Sequence, residues 1–264
     1  MPEGHTIHRA ARDHRRAFVG PPLAVSSPQG RFADGAKELD GRSLVDIDAH
    51  GKHLFYRWEG GLLLHVHLGL FGKFRIFSGA PPEPRGALRL RLVAPDATLD
   101  LRGPTACELI DGAAHERLLA RLGPDPLRAD ADPEQFFARA RRSRVAIGSL
   151  LMDQSAIAGA GNVFRAEALF VCGIAPETES RSLSQEQLDL LWETVTVMLQ
   201  AGVRSGRIVT ADPIEVGTPR SQMRRGERNY VYRRATCLRC AGPVAKYDLA
   251  ARNMFACPAC QPTP

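Results

Sequence analysis

The residue types best able to do chemistry sit near the two ends of the chain. Cys237-Leu-Arg-Cys240 is followed, after sixteen residues, by Cys257-Pro-Ala-Cys260. Two knuckles at this spacing can set four thiolates tetrahedrally around a zinc ion. All eight histidines lie at or before His115, so none near the knuckles competes as a ligand. One four-cysteine zinc ion is therefore expected, closed and structural, stiffening a hairpin too short to fold unaided. Two disulfides or unligated thiols are the alternative. Cys107 and Cys172 stand apart and read as packed residues.

At the other end the chain begins Met-Pro-Glu-Gly-His-Thr. Removal of the initiator methionine would leave Pro2 with a free secondary amine. An α-amine has a pKa near 8, so an appreciable unprotonated fraction exists at neutral pH. Such an amine attacking an aldehyde-level carbon gives an iminium ion, an electron sink that acidifies the neighbouring C–H. Glu3, next in the chain, can shuttle protons. Alone, such a start carries no meaning.

A third pattern is Asp153-Gln-Ser-Ala-Ile-Ala-Gly159-Ala-Gly161-Asn162, running into an apolar helical stretch. Two glycines permit a tight turn, and Asn162 stands where it can cap the next helix. Backbone N–H groups at that start suit an anion such as phosphate. Arg252 lies between the cysteine pairs, where an arginine at a rigid tip can grip phosphate with two hydrogen bonds.

These groups must be positioned by elements legible in the pattern. From Thr6 to Phe18, Ile7, Ala10, Ala11 and Phe18 share one helical face, with arginine and histidine expected opposite. From Leu62 to Ile76 the period becomes two, with Leu64, Val66, Leu68, Leu70, Phe74 and Ile76 on one side. His65, His67, Phe71, Lys73 and Arg75 fall on the other. Leu88, Leu90 and Leu92 alternate with Arg89 and Arg91 in the same way. The first half is thus expected to be a β-sandwich preceded by one helix. Gly123-Pro-Asp-Pro126 and Ala129-Asp-Ala-Asp-Pro133 break all periodicity and read as a linker. Beyond it the pattern is helical. Ser184 and Gln187 form a capping box, Leu183 and Leu188 a hydrophobic staple, and the stripe continues through Leu191, Trp192, Val195, Met198 and Leu199.

The chain of 264 residues carries a net charge of +6. From Ile214 onward nine basic residues face three acidic ones, a local surplus equal to that of the whole chain. Concentrated positive charge points to a polyanionic partner, most commonly nucleic acid. The apolar stretch from Leu62 to Phe77 is interrupted by His65, His67, Lys73 and Arg75, so no membrane span is expected. The N-terminus lacks a signal-peptide core, and a cytoplasmic location follows.

Taken together, these residues resemble the formamidopyrimidine-DNA glycosylase and endonuclease VIII family, most closely its bacterial endonuclease VIII branch. The resemblance runs from Pro-Glu-Gly to the terminal cysteine hairpin, with four motifs in the family's order. It implies an α+β fold in four parts. These are an N-terminal β-sandwich with a catalytic helix (1–123), a linker (124–133), a helix–two-turn–helix domain (134–230) and a zinc-ribbon hairpin (231–264). It implies a monomer that binds double-stranded DNA in the cleft between its halves and excises oxidised bases, or acts at abasic sites, by base flipping. Pro2 would be the nucleophile on C1′, Glu3 the acid/base, and Lys52 of Gly51-Lys52-His53 a catalytic phosphate contact. His67, Asn162 and Arg252 would grip further phosphates. Leu70 and Phe71 resemble the wedge that fills the void left by the extruded base. The iminium would drive β- and then δ-elimination.

The start and the wedge favour oxidised pyrimidines. Four positions depart from the pattern: His5-Thr6 replaces Pro-Glu, Gly69 stands where glutamine is frequent, and Ser155 follows Asp-Gln where purine-directed relatives carry lysine. A purine-directed glycosylase is the nearest alternative. A non-catalytic damaged-DNA-binding protein would not need Pro2, Glu3 and Lys52 together. A zinc-ribbon protein of transcription or translation would leave the first half without a role.

Overall fold

The computed structural model describes residues 2–79 and 81–262. The chain divides into two compact units, Met1–Ala120 and Arg121–Pro264.

The first unit opens with α1 (Gly4–Phe18), followed by β1 (Ala24–Ser26), α2 (Ala33–Leu39), β2 (Leu44–His50), β3 (His53–Trp58), β4 (Leu63–His67), β5 (Lys73–Ser78), β6 (Leu88–Val93), β7 (Ala97–Arg102), β8 (Ala106–Ile110) and α3 (Gly112–Leu119). Its strands form two antiparallel four-stranded sheets, ordered β2-β3-β4-β8 and β1-β6-β7-β5. Leu54, Tyr56, Leu64 and Val66 of one sheet share a single core with Leu90, Leu92, Leu99 and Leu101 of the other. Sheets with one apolar face each must bury it against another layer, and here the two faces meet. Ile7, Ala10, Ala11 and Phe18 of α1 complete that core.

Sequence and structure differ here in three places. His14, expected opposite the apolar face of α1, is 2% exposed, and its Nδ1 lies 2.8 Å from the Tyr56 hydroxyl. The alternation from Leu62 to Ile76 is not continuous. It breaks after β4, and β5 joins the other sheet, so Leu70 and Ile76 are 47% and 41% exposed. Arg91 does not face solvent either. Its guanidinium grips the fully buried Asp100 with two hydrogen bonds, of 2.7 and 3.0 Å. That forked geometry compensates two desolvated charges on adjacent strands.

The second unit contains α4 (Pro133–Arg142), α5 (Ile147–Leu150), α6 (Asn162–Val171), α7 (Gln185–Ser205), a short helix at Pro213–Val216, and the antiparallel hairpin β9 (Ala245–Asp248) and β10 (Asn253–Ala256). The capping box of α7 is present: the Gln187 N–H donates to Ser184 Oγ and the Ser184 N–H to Gln187 Oε1. Leu183, Leu188, Leu191, Val195, Met198 and Leu199 are buried as the stripe requires. Met254 and Phe255 of the hairpin join the same core as Phe164 and Leu169 of α6. Gly123 and Pro124, read from sequence as the start of a linker, are buried within this unit. The Gly123 N–H donates to the Gln154 carbonyl, and the Ala158 N–H to that of Pro124. No helix among the described residues is long and apolar enough to cross a membrane.

Candidate functional site

In the first unit, Glu3 occupies the N-cap position of α1 in extended conformation, and its side chain is fully buried. Its carbonyl accepts from the Thr6 N–H, which starts the helix immediately after the Pro2–Glu3 pair. The positive end of the helix macrodipole thus lies at Glu3, whose side chain makes no capping hydrogen bond to α1. Pro2 is half-buried at the wall of a cavity of about 540 Å³ that Thr6, Arg9, Leu68, Lys73 and Phe74 also line. His5 is buried just inside the helix. Burial, and then the positive charge of the chain's N-terminus, push its pKa down to about 4, so it is neutral at physiological pH.

Lys52 stands in the two-residue loop joining β2 to β3, where His50 pairs with His53. Gly51, the first loop residue, has φ +58°, the sign that a type I′ or II′ hairpin turn requires there. His53 in turn pairs with His67 at the end of β4, so backbone register sets Lys52 beside His67. Burial lowers the pKa of His67, and the neighbouring His65 and Lys52 lower it further.

The β4–β5 loop carries Leu70 and Phe71, which are 47% and 86% exposed. Its glycines are steric requirements. A Cβ on Gly69, whose φ is +64°, would meet Thr105 Oγ1 at 1.9 Å; one on Gly72 would meet the Leu68 carbonyl oxygen at 2.3 Å. Gly69 therefore has a local structural cause, and no larger side chain fits that turn unchanged.

The second unit holds the remaining groups by side-chain locks. Asn162 is the first residue of α6 rather than its cap, which is Gly161. Its amide instead reaches the hairpin, donating from Nδ2 to the Asn253 carbonyl at 2.9 Å, next to Arg252. Asn162 Oδ1 accepts from Arg165, a fully buried arginine. Arg165 also donates to the Leu249 carbonyl at 2.9 Å and to that of Gly148 at 3.3 Å. Gln154 braces the preceding turn, donating to the Ala160 carbonyl at 3.0 Å and accepting from the Gly159 N–H at 3.1 Å.

Arg252 is exposed at the hairpin tip. There Ala250 and Ala251 take φ +57° and +55°, flanked by the hydrogen bond from the Leu249 N–H to the Arg252 carbonyl. Two consecutive left-handed residues define a type I′ turn, normally given to asparagine or glycine. Two alanines there cost about 1–2 kcal/mol each. The cost is offset by Arg165 and Asn162, which hold the residues on either side of the turn.

The four Sγ atoms of Cys237, Cys240, Cys257 and Cys260 lie within 4.8 Å of one another. Burial pushes the Cys260 thiol up to about 12, whereas the Gly242 N–H draws Cys240 down to about 7.

Arg165, Gln154 and Glu167 were not singled out from sequence. The Glu167 carboxylate is fully buried. It accepts from Thr210 Oγ1 and from the backbone N–H groups of Tyr230, Val231 and Tyr232 at 2.5–2.9 Å. It thereby clamps both ends of the segment between 210 and 230, which bears Arg220, Arg224, Arg225 and Arg228. The available signal was an arginine and a glutamate inside an otherwise apolar helix.

The chain matches two family models, the formamidopyrimidine-DNA glycosylase N-terminal domain over residues 1–106 and the formamidopyrimidine-DNA glycosylase H2TH domain over residues 122–213. It is 48% identical over 268 residues to endonuclease 8 1 of Mycobacterium tuberculosis, covering 99% of this chain and all of that relative. It is 33% identical to a formamidopyrimidine-DNA glycosylase of Geobacter metallireducens, over 99% of this chain and all of that one. A crystal structure of Lactococcus lactis Fpg in complex with DNA containing N7-benzyl-Fapy-dG is 25% identical, with a TM-score of 0.81 over 99% of this chain and all of the other.

Proposed function

Because the chain belongs to the formamidopyrimidine-DNA glycosylase and endonuclease VIII family, we propose that it removes oxidised bases from double-stranded DNA through Pro2 and then incises the strand. The members of this family are DNA glycosylases with AP lyase activity in base-excision repair, and the chain is such an enzyme.

The steps follow from its own residues. The lesion leaves the stack, and the exposed Leu70 and Phe71 fill the void. The Pro2 nitrogen attacks C1′, the glycosidic bond breaks, and its electron pair leaves with the base. Glu3 accepts the proton that the Pro2 nitrogen loses on attack and delivers it to the ring oxygen O4′, so that the C1′–O4′ bond breaks and the iminium forms. The resulting iminium acidifies C2′, so loss of that proton expels the 3′ phosphate; a second elimination expels the 5′ phosphate. Lys52 and His67 hold phosphate from the first unit, Asn162 and Arg252 from the second. The observation that carries this reading is the Pro2–Glu3 pair itself, one residue at a cavity wall and the next buried at a helix start.

The cysteine cluster fits one structural zinc. Tetrahedral zinc with bonds of about 2.3 Å needs sulfurs about 3.8 Å apart, and Cys240 and Cys257 already lie 3.5 Å apart. When bound, the ion supplies a cross-link between the two knuckles and no reaction chemistry. The functional division runs as 1–120 for catalysis, 121–230 as the helix–two-turn–helix part, into which the stretch from Gly123 packs, and 231–264 as zinc hairpin. The protein acts as a cytoplasmic monomer.

Oxidised pyrimidines are the preferred bases, in keeping with the 48% identity to an endonuclease 8. The 33% identity to a formamidopyrimidine-DNA glycosylase favours the purine-directed alternative. Parallel excision assays on thymine-glycol and 8-oxoguanine duplexes decide between them. Faster release of thymine glycol is expected; faster release of 8-oxoguanine would reverse the preference.

A further inference from the structure

The face of the first sheet turned away from its core carries a run of titratable groups of which the mechanism above uses only His67. Register places His53 opposite His67 and Phe55 opposite His65 across β3 and β4, and His65 opposite Glu108 across β4 and β8. His53 Nδ1 lies 2.9 Å from His65 Nε2, and His65 Nδ1 lies 3.2 Å from Glu108 Oε1. The His53 and His65 ring centroids lie 5.2 Å apart with 20° between their planes, the nearly coplanar arrangement an in-plane N–H···N bond requires, and the His67 ring lies 4.8 Å from His53. Phe55 lies 5.4 Å from His65, with the edge of His115 from α3 against it at 4.6 Å. His65 is 4% exposed.

Hydrogen-bond chemistry fixes the direction of this chain. An ionised Glu108 can only accept, so His65 Nδ1 carries a proton. Neutral His65 then keeps its lone pair on Nε2, and His53 must donate to it from Nδ1. Neutral His53 in turn keeps its lone pair on Nε2. A carboxylate on β8 thereby sets the tautomer of the residue that follows Lys52 and touches His67.

We propose that His65 and Glu108 are positioning residues for the phosphate grip, acting through His53 on the Lys52 turn and on His67. The proposal rests on the reading of Lys52 and His67 as phosphate contacts. A phosphate held there adds negative charge beside His53 and His67. The histidine run then takes up one proton from solvent, with Glu108 as its counter-charge. Burial lowers the pKa of His65 in the absence of phosphate, and Glu108 opposes that effect. The other groups facing the run are Lys52 in the turn, His50 paired with His53 on β2, and His115 on α3. Burial lowers the pKa of His115, Arg57 and His65 lower it further, and Asp48 and Glu116 oppose them. DNA binding should therefore tighten as pH falls, by up to tenfold per pH unit for one proton.

The test is a fluorescence-anisotropy titration of the full chain on a duplex containing a tetrahydrofuran abasic analogue, from pH 5.5 to 8.5 at constant ionic strength. Wild type is compared with Glu108→Gln, His65→Leu, Lys52→Ala and His67→Ala, each checked by melting. Glu108→Gln lies on an exposed position, keeps an accepting oxygen and removes the charge. It should retain affinity at pH 8.5 and lose the pH slope. His65→Leu should lose the slope and about tenfold in affinity throughout. Wild-type slope and affinity in both variants, with Lys52→Ala and His67→Ala weakened, overturn the relay alone. Wild-type binding by Lys52→Ala and His67→Ala overturns the phosphate-grip reading beneath it.

Discussion

The two units carry their proposed DNA contacts in physically different ways. In the first, Lys52 and His67 are set by backbone register: a two-residue loop, and a partner residue facing it across the strands. In the second, Asn162 and the tip that bears Arg252 are locked by a fully buried arginine and a cluster of four cysteines. A register is upheld by many weak bonds and a shared core, so no single side chain decides it. A lock built on one desolvated charge fails when its one member is lost. The fold of the first unit should therefore survive substitution around its contacts, with the losses confined to DNA affinity and its pH dependence, whereas the second unit should lose structure.

The largest effect is expected at the cysteines. Cys257→Ser should release the metal and unfold the hairpin, since binding energies on the order of 10 kcal/mol hold structural zinc sites together. Metal analysis beside calorimetry checks this; one ion retained per chain would contradict the ligand set. Next, Arg165→Met removes the donor shared by Asn162, Leu249 and Gly148. A loss of about 1–3 kcal/mol for each buried acceptor left unsatisfied is expected, confined to the second unit. Calorimetry would show one shifted transition, whereas an equal shift of both would erase the contrast between the units.

The first unit has its own vulnerability, to acid. Burial draws the pKa of His14 down to about 3 from 6.5. Between those values the unfolded chain binds a proton that the folded chain excludes. Stability therefore falls as pH drops through that window, by about 1.4 kcal/mol per pH unit, and is unaffected by this group above pH 6.5. Denaturant melts of the first unit's transition from pH 4 to 7 measure it; a flat profile would remove the assignment. The smallest effect belongs to Arg252→Ala, with a loss of about 1–2 kcal/mol in DNA binding. The slope of log K against log salt should fall by about 0.9, with melting unchanged.

How much was legible follows from which atoms hold each feature. The cysteine spacing, the capping box of α7 and the alternation in β4 are patterns of side-chain type, and each element formed where its pattern stood. The partners of Arg165 include the backbone carbonyls of Gly148 and Leu249, and those of Glu167 are mostly backbone N–H groups. Every residue possesses such groups, so no residue pattern could announce them. His14 was within reach: positions 7, 10, 11, 14 and 18 form one helical stripe, and only its residue type argued against burial. The break at 69–72 was harder to see, because periodicity assigns a face to each residue without saying where a chain changes sheets.

The central claim is that the Pro2 nitrogen forms the covalent intermediate, and borohydride trapping tests it most directly. Purified, Met-processed protein is incubated with an abasic-site duplex and with a thymine-glycol duplex, reduced, digested and mapped by mass spectrometry. The account predicts an adduct on both duplexes at the Pro2 peptide, absent from Pro2→Gly, which still binds the duplex. An adduct at a lysine instead, or tight binding with no adduct on either duplex, would contradict it.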